Sequence, residues 1–550
     1  MKFLTVIVAL LLSFFSTAIM SYIALTTGVG PWIEATLVLA GMLIYYAFKN
    51  YVSHESRMRS LGLTTAAGGI GGILATGCGF SFPTLFFLNP QEFSSLLSNP
   101  LSFVSVLGSL ALAAGSLGLV MATLCEHSLI VTQQLPFPMG ALVYKMISAQ
   151  DSLSKAWSLA TGFIGTQLYL ITRMWGGILS EKLLLIPKFS YGAFSFPQIV
   201  VPTDQLPLFW AIGFVTGHVI AIPLLWGFLA KILCIQPLHY IYPRISGFLY
   251  EHGLSRFISQ PGQTISFMDF TIAFCSGMVL YGAAMGFLEL PKLAKSATKF
   301  FSHARTKSDA KKEIPWILGA AALILNIGFL TFFHFSPMAQ FYLITFTLVC
   351  TYQMMLIAGK IGIAPLGRFA TFVMVPGMLL FGYTSLQVTL VATYVEIAGG
   401  VGCDALFGRK MAQLAHIPGS TIQRYQWLGL IVSSICVGFI FWIFITHFGI
   451  GNEPGALAAS KAASRALLID VKNFDTIVLL LGVVFGYFLK FTKVNTALLL
   501  GGILMPPEVS LMLILGGWST YLVKNKEDYY PFWSGVFAAN SLWMLVKAFL

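Results

Sequence analysis

The stretch Gln133-Gln-Leu-Pro-Phe-Pro-Met-Gly-Ala-Leu-Val-Tyr-Lys-Met-Ile-Ser-Ala149 interrupts otherwise continuous hydrophobic sequence. Pro136 and Pro138 lack an N–H and disfavour helix at the residue before each, while Gly140 adds conformational freedom. A continuous helix is therefore not expected from Leu135 to Gly140, and a helix can start at Ala141. Broken backbone at membrane depth survives only where protein buries it or a watery cavity solvates it, because hydrocarbon cannot satisfy the freed amides and carbonyls. Transporters build binding sites from such half-helices, whose N-terminal amides can face an anionic group. By itself the stretch reads equally as one wall of a substrate site or as an interfacial loop between two ordinary spans.

The sequence on either side supplies the membrane. Of 550 residues, 57% are hydrophobic and 9% charged, and the mean hydropathy is +0.82, which no soluble globular chain reaches. Apolar runs of about 18–25 residues provide roughly 14–16 transmembrane or re-entrant helices. The expected fold class is an all-α polytopic membrane protein without a soluble domain. The net charge of +12 resides mainly in short loops, where it sets orientation, so nucleic-acid binding is not supported. Seven cysteines, at 78, 125, 234, 275, 350, 403 and 436, show no CxxC or CxxH spacing. No metal cluster, disulfide framework or cofactor is expected from them.

Met1-Lys2 and the apolar run Phe3 to Phe15 can pass for a signal peptide, but they read as the first span, because a repeat described next uses residues 22–31. Lys49, Arg57 and Arg59 fill a short basic loop after the second span, which places that loop and Met1 on the cytoplasmic side. The loop 291–313 carries Lys292, Lys295, Lys299, Arg305, Lys307, Lys311 and Lys312 against Asp309 and Glu313. It is the strongest cytoplasmic marker and divides the chain into an N-terminal transmembrane half, 1–290, and a C-terminal half, 314–550. The halves look alike. Met355-Leu-Ile-Ala-Gly-Lys-Ile-Gly-Ile-Ala-Pro365 echoes Tyr22-Ile-Ala-Leu-Thr-Thr-Gly-Val-Gly-Pro31, and Pro454-Gly455-Ala-Leu echoes Pro138-Met-Gly140-Ala-Leu, with Lys461 answering Lys145. An even number of crossings in each half implies repeats related by an axis along the membrane normal.

These blocks, in this order, resemble the oligopeptide transporter superfamily, which includes the yellow stripe-like transporters of metal chelates. The resemblance covers nearly the whole chain. It rests on Tyr22 to Pro31, Leu135-Pro-Phe-Pro138 with Gly140, Ile361-Gly-Ile-Ala-Pro-Leu-Gly367 and Gly399-Gly-Val-Gly-Cys-Asp-Ala-Leu-Phe-Gly408. Ile417-Pro-Gly with Gln423, and Leu499-Leu-Gly-Gly-Ile-Leu-Met-Pro-Pro507 before Gly516-Gly517, extend it. Family members of the yellow stripe-like branch usually carry acidic residues just before and within the Leu-Pro-Phe-Pro element, where this chain has Gln133, Gln134 and Met139. The resemblance implies secondary active uptake of short peptides, peptide-like solutes or metal chelates, usually coupled to protons. The absence of the Asn-Pro-Gly and Lys-Ile-Pro-Pro-Arg patterns of the eukaryotic peptide branch fits a bacterial-type member.

Charges inside spans are costly and usually face a cavity or a partner. Glu396, far from either end of its apolar run and beside Gly399 and Gly400, can carry a proton during transport or close a structural pair with a basic residue such as Arg173. Glu34, three residues after Pro31, suits a broken-helix proton site and equally the first turn of a helix. His218 can sense protons or be a hydrogen-bonded core residue. Gln133 and Gln134 can hold peptide amides, Tyr144 can stack on a ligand or join an aromatic belt, and Pro136, Pro138, Gly140, Pro454 and Gly455 shape the two breaks. Lys461 and Arg465, four apart on one helix face, can neutralise an anionic solute or snorkel at the interface. Asp404, Arg368 and Lys360 flank span ends and are expected to snorkel. Glu126 and His127 read as interfacial.

No HExxH, GxSxG or P-loop pattern is present, which speaks against an enzyme, and two broken half-helices in a duplicated chain suit alternating access better than a channel. The expected site lies between 133–144 and 453–465. The expected partners are a small-molecule or short-peptide substrate, protons and the lipid bilayer; a homo-oligomer is compatible with this reading. The expected location is a bacterial inner membrane with the N-terminus cytoplasmic, and an uncoupled facilitator is the alternative.

Overall fold

The computed structural model of the chain describes residues 2–27, 33–48, 54–148, 153–176, 182–186, 189–191, 194–196, 199–204, 206–251, scattered positions between 267 and 281, 316–362, 364, 366–451, 456–469, 476–489, 491, 499, 502–503 and 507–549. The break at 28–32, the basic loop 291–313, and Pro454 and Gly455 lie outside the described residues. In chain order the helices are α1 (Lys2–Thr27), α2 (Glu34–Ala47), α3 (His54–Ser81), α4 (Thr84–Leu88), α5 (Pro90–Ser98), α6 (Pro100–Glu126), α7 (Pro138–Ser148), α8 (Leu153–Gly176), α9 (Leu206–Thr216), α10 (His218–Ala230) and α11 (Gln236–Glu251). There follow α12 (Trp316–Phe332), α13 (Pro337–Ile361), α14 (Leu366–Phe381), α15 (Ser385–Leu414), α16 (Gly419–Phe448), α17 (Ser460–Ile469), α18 (Thr476–Leu489), α19 (Pro507–Ser519) and α20 (Lys526–Phe549). Seven of the described helices are long and apolar enough to cross a membrane, and five shorter ones are apolar.

The chain packs as two compact units, Met1–Asp151 with Phe287–Ala466 and Ser152–Gly286 with Leu467–Leu550. Each unit draws one segment from either side of the 291–313 loop, so packing groups the chain across the linear division rather than along it.

In the first unit the two long helices α3 and α15 form the middle. Thr384 and Gln387 make a reciprocal capping box that starts α15, and α15 is then buried almost continuously from Val388 to Met411. Small residues permit this, since a Cβ at Gly118 of α6 would lie 3.1 Å from the Gly402 nitrogen. Gly362, at φ +80, stops α13 in a left-handed turn that a side chain would oppose. The first segment of this unit runs α1, α2, α3, α4, α5, α6 and α7 and the second α12, α13, α14, α15, α16 and α17, and each ends in a short helix after a long one. The loops also dock reciprocally. The Phe137 N–H donates to the Gly359 carbonyl in the last turn of α13 at 2.8 Å, and the Ala459 N–H donates to the Leu25 carbonyl in the last turn of α1 at 2.7 Å. Both donors have left-handed backbone, φ 44 and φ 41, and each satisfies a carbonyl that its helix cannot.

In the second unit α8 packs along α20 and α9 along α19. Asn540 of α20 accepts from the Leu208 N–H at 2.9 Å and donates to the Asp204 carbonyl at 2.8 Å, tying α20 to the entry of α9. The segment after α8, not anticipated as extended chain, forms two short antiparallel ribbons: β1 (Lys182–Ile186) pairs with β4 (Ile199–Pro202), and β2 (Phe189–Tyr191) with β3 (Phe194–Phe196).

Candidate functional site

The break at 133–137 forms, but the helix after it starts earlier than expected. Residues His127–Thr132 are a π-helical turn, the Gln133 and Leu135 amides donate to the Ser128 and Leu129 carbonyls, and α7 opens at Pro138 rather than Ala141. Proline is tolerated in a first turn, where its missing N–H has no partner in any case, and the Ala141 N–H already donates to the Phe137 carbonyl at 3.1 Å. Gln133, Gln134 and Pro136 are exposed, Leu135 and Phe137 buried, and Tyr144 half-buried. Gln133 hydrogen-bonds the Tyr352 phenol. Gly140 lies against α15, where a Cβ would come 3.1 Å from the Phe407 carbonyl carbon, and the Phe137 ring meets Phe407 edge-on at 5.9 Å. The side chain of Pro138 lies outside the described set.

The second half-helix meets α15 elsewhere. Arg465 of α17 bonds Glu396 in the middle of α15, Nη2 to Oε1 at 2.6 Å. Ser81, the last residue of α3, donates to the other Glu396 oxygen at 2.5 Å. Arg465 also donates to the Ser81 hydroxyl and to the Phe80 carbonyl at 3.2 Å, an orphan acceptor at the end of α3. The Glu396 residue is 0% and Arg465 5% exposed. One turn back, the Lys461 ammonium sits 3.3 Å from the centroid of the Phe80 ring, a cation–π placement. Gly367 of α14 completes the wall; a Cβ there would be 3.4 Å from both Arg465 Nη2 and Glu396 Oε1. The cluster holds two cations and one carboxylate. The planar guanidinium serves Glu396 from one terminal nitrogen and Ser81 and Phe80 from the other.

Several expected placements change. Glu396 pairs with Arg465, while Arg173 pairs with Asp204 at 3.6 Å and donates to Thr203 at 2.6 Å in the second unit. Arg465 does not snorkel, because its head group is taken up by buried partners. Asp404 does not snorkel either; at 3% exposure it lies inside α15 facing Glu34, the first residue of α2. Glu126 is not a plain interfacial carboxylate, since buried Arg409 donates to it at 3.1 Å and to Thr123 at 2.9 Å, while Gln426 accepts from Arg409 Nε at 3.2 Å. His218 opens α10 after Gly217, and its side chain, like that of Lys360, lies outside the described set. Phe80 and Ser81 carried no signal in sequence. They matter because α3 ends where α15 and α17 carry charge.

The two breaks thus address different levels of one helix. Gly140 and Phe137 meet α15 at Phe407, Arg465 meets it at Glu396, and eleven residues of helix separate the levels by roughly 16 Å. The family model described as OPT oligopeptide transporter protein matches residues 3–543. The chain belongs to the oligopeptide transporter family. No curated protein matches it. As a member of this family it is an integral, multi-pass membrane protein of a transporter class.

Proposed function

We propose that the protein imports short peptides, peptide-like solutes or metal chelates by secondary active transport, and that the Lys461–Arg465–Glu396 cluster receives the anionic end of the solute. The observation that carries this reading is the excess of positive charge around a buried carboxylate, buried Arg465 and half-buried Lys461 against Glu396, within a transporter of peptides. An excess cation drawn partly out of water favours an anion beside it.

The same cluster suggests how uptake is coupled. A solute carboxylate that takes Arg465 strands Glu396, and a stranded carboxylate in so dry a place binds a proton rather than stay charged. Solute and proton then enter together, and alternating access carries both across. The charge distribution supports an N-terminus in the cytoplasm and an inner-membrane location, and the sequence pattern supports a bacterial-type member near the yellow stripe-like branch. Gln133, Gln134 and Met139, which stand where carboxylates are usual, favour a second reading, an uncoupled facilitator.

The test is uptake by purified protein in liposomes, comparing a labelled short-peptide pool with a labelled iron-chelate pool, each with and without an inward proton gradient. Accumulation of one pool driven by the gradient supports the coupled reading and selects the solute. Equilibration without accumulation selects the facilitator, and no uptake of either pool overturns both.

A further inference from the structure

The first unit contains a second buried ionisable pair that the uptake mechanism leaves unused. Glu34 and Asp404 are 5% and 3% exposed, and their carboxylates face each other. Neither oxygen of Glu34 has a hydrogen-bond donor among the described residues. On the facing helix a Cβ at Gly69 would lie 2.8 and 3.1 Å from the two Asp404 oxygens, so glycine alone leaves the carboxylate its room. One turn earlier on α3, the Thr65 hydroxyl is buried and also unpartnered.

Ionised carboxylates are acceptors only, so two of them in a dry interior repel and cannot satisfy each other. The described arginines nearby do not answer them. The described ion pairs on the packed helices, Glu126–Arg409 and Glu396–Arg465, are each closed with a partner of their own. Of the titratable groups described around Asp404, those facing it are Glu34 from α2 and the Cys403 thiol beside it on α15. Two acceptors, an orphan hydroxyl and no cation closed on them among the described residues describe a place that takes one positive charge.

We infer that Glu34 and Asp404, with Thr65 at hand, bind a single small monovalent cation, a proton or a sodium ion, at a site separate from the Lys461–Arg465–Glu396 cluster. It takes its two ligands from the helix after the first break and from α15, eight residues or about 12 Å along α15 from Glu396. Only the consequence for transport rests on the uptake reading; the binding does not.

The experiment is thermal unfolding of the purified full-length protein without solute, first with sodium chloride replacing choline chloride at fixed pH, then across about pH 6 to pH 9 without sodium. A midpoint that rises with sodium identifies sodium; one that rises as pH falls identifies the proton. In either case Glu34→Gln and Asp404→Asn each lose the shift, and the double variant, neutral and of nearly the same volume, is as stable without cation as the loaded parent. Should the single variants fail to fold, the double variant still decides. A parent indifferent to both ions, or a shift retained in the double variant, overturns the site. Lys461→Gln keeps the shift, so failure of the substrate reading would leave this one standing.

Discussion

Glu396 is held by Arg465 at 2.6 Å and by the Ser81 hydroxyl at 2.5 Å, so deleting either charge leaves the other buried and alone. Glu396→Gln is expected to cost about 3–5 kcal/mol of stability, measurable in a denaturant titration. A charge-free double variant, Glu396→Gln with Arg465→Met, is expected to recover most of that loss while remaining inactive in uptake; recovered uptake would make the pair structural only. Lys461 closes no ion pair among the described residues and rests on the Phe80 ring. Lys461→Gln should therefore fold normally and raise the KM for free-carboxyl peptides by about 10- to 100-fold, the worth of a charge-assisted hydrogen bond. Amidated peptides should be handled alike by parent and variant.

At the scale of elements, the half-helices are fastened by one backbone bond each, Phe137 to Gly359 and Ala459 to Leu25. Ala459 pays for its bond with left-handed backbone at φ 41. Ala459→Gly should stabilise the protein by about 1 kcal/mol, since glycine takes that conformation without the Cβ clash. Ala459→Pro should do the opposite, because proline has no N–H to offer Leu25 and its ring fixes φ near −65°. Thermal midpoints of the two variants, moving apart from the parent in opposite directions, check the clasp. Gly140 is subject to a harder limit: a Cβ there would meet the α15 backbone at Phe407, so Gly140→Val should push α7 off α15 and abolish uptake even where the protein is made.

At the scale of the molecule, each compact unit contains one segment from each side of the basic loop. Neither half, 1–290 or 314–550, can bury its own α3 or α15 face alone, because those two helices pack on each other. Expressed singly, each half should be degraded or protease-sensitive; expressed together as separate chains, they should assemble and restore uptake. Two halves that were each stable alone would show that packing across the loop is dispensable.

The residues themselves determined the membrane setting, the helical class, the break before α7 and the family, because hydrophobic run length and proline position act locally and read directly from order. They also marked Glu396 and the Lys461/Arg465 spacing, since a charge in an apolar run is conspicuous wherever it packs. Partners were another matter. That Glu396 takes Arg465, that Asp404 faces Glu34 instead of snorkelling, and that α7 begins at Pro138 depend on which helix ends meet. Ser81 and Phe80 enter the cluster only because α3 stops beside α15 and α17, and the two breaks address α15 at levels roughly 16 Å apart. Such meetings join positions up to 385 residues apart in the chain; they are set by close helix packing through Gly69 and Gly118, a property of the folded surfaces that no local pattern encodes.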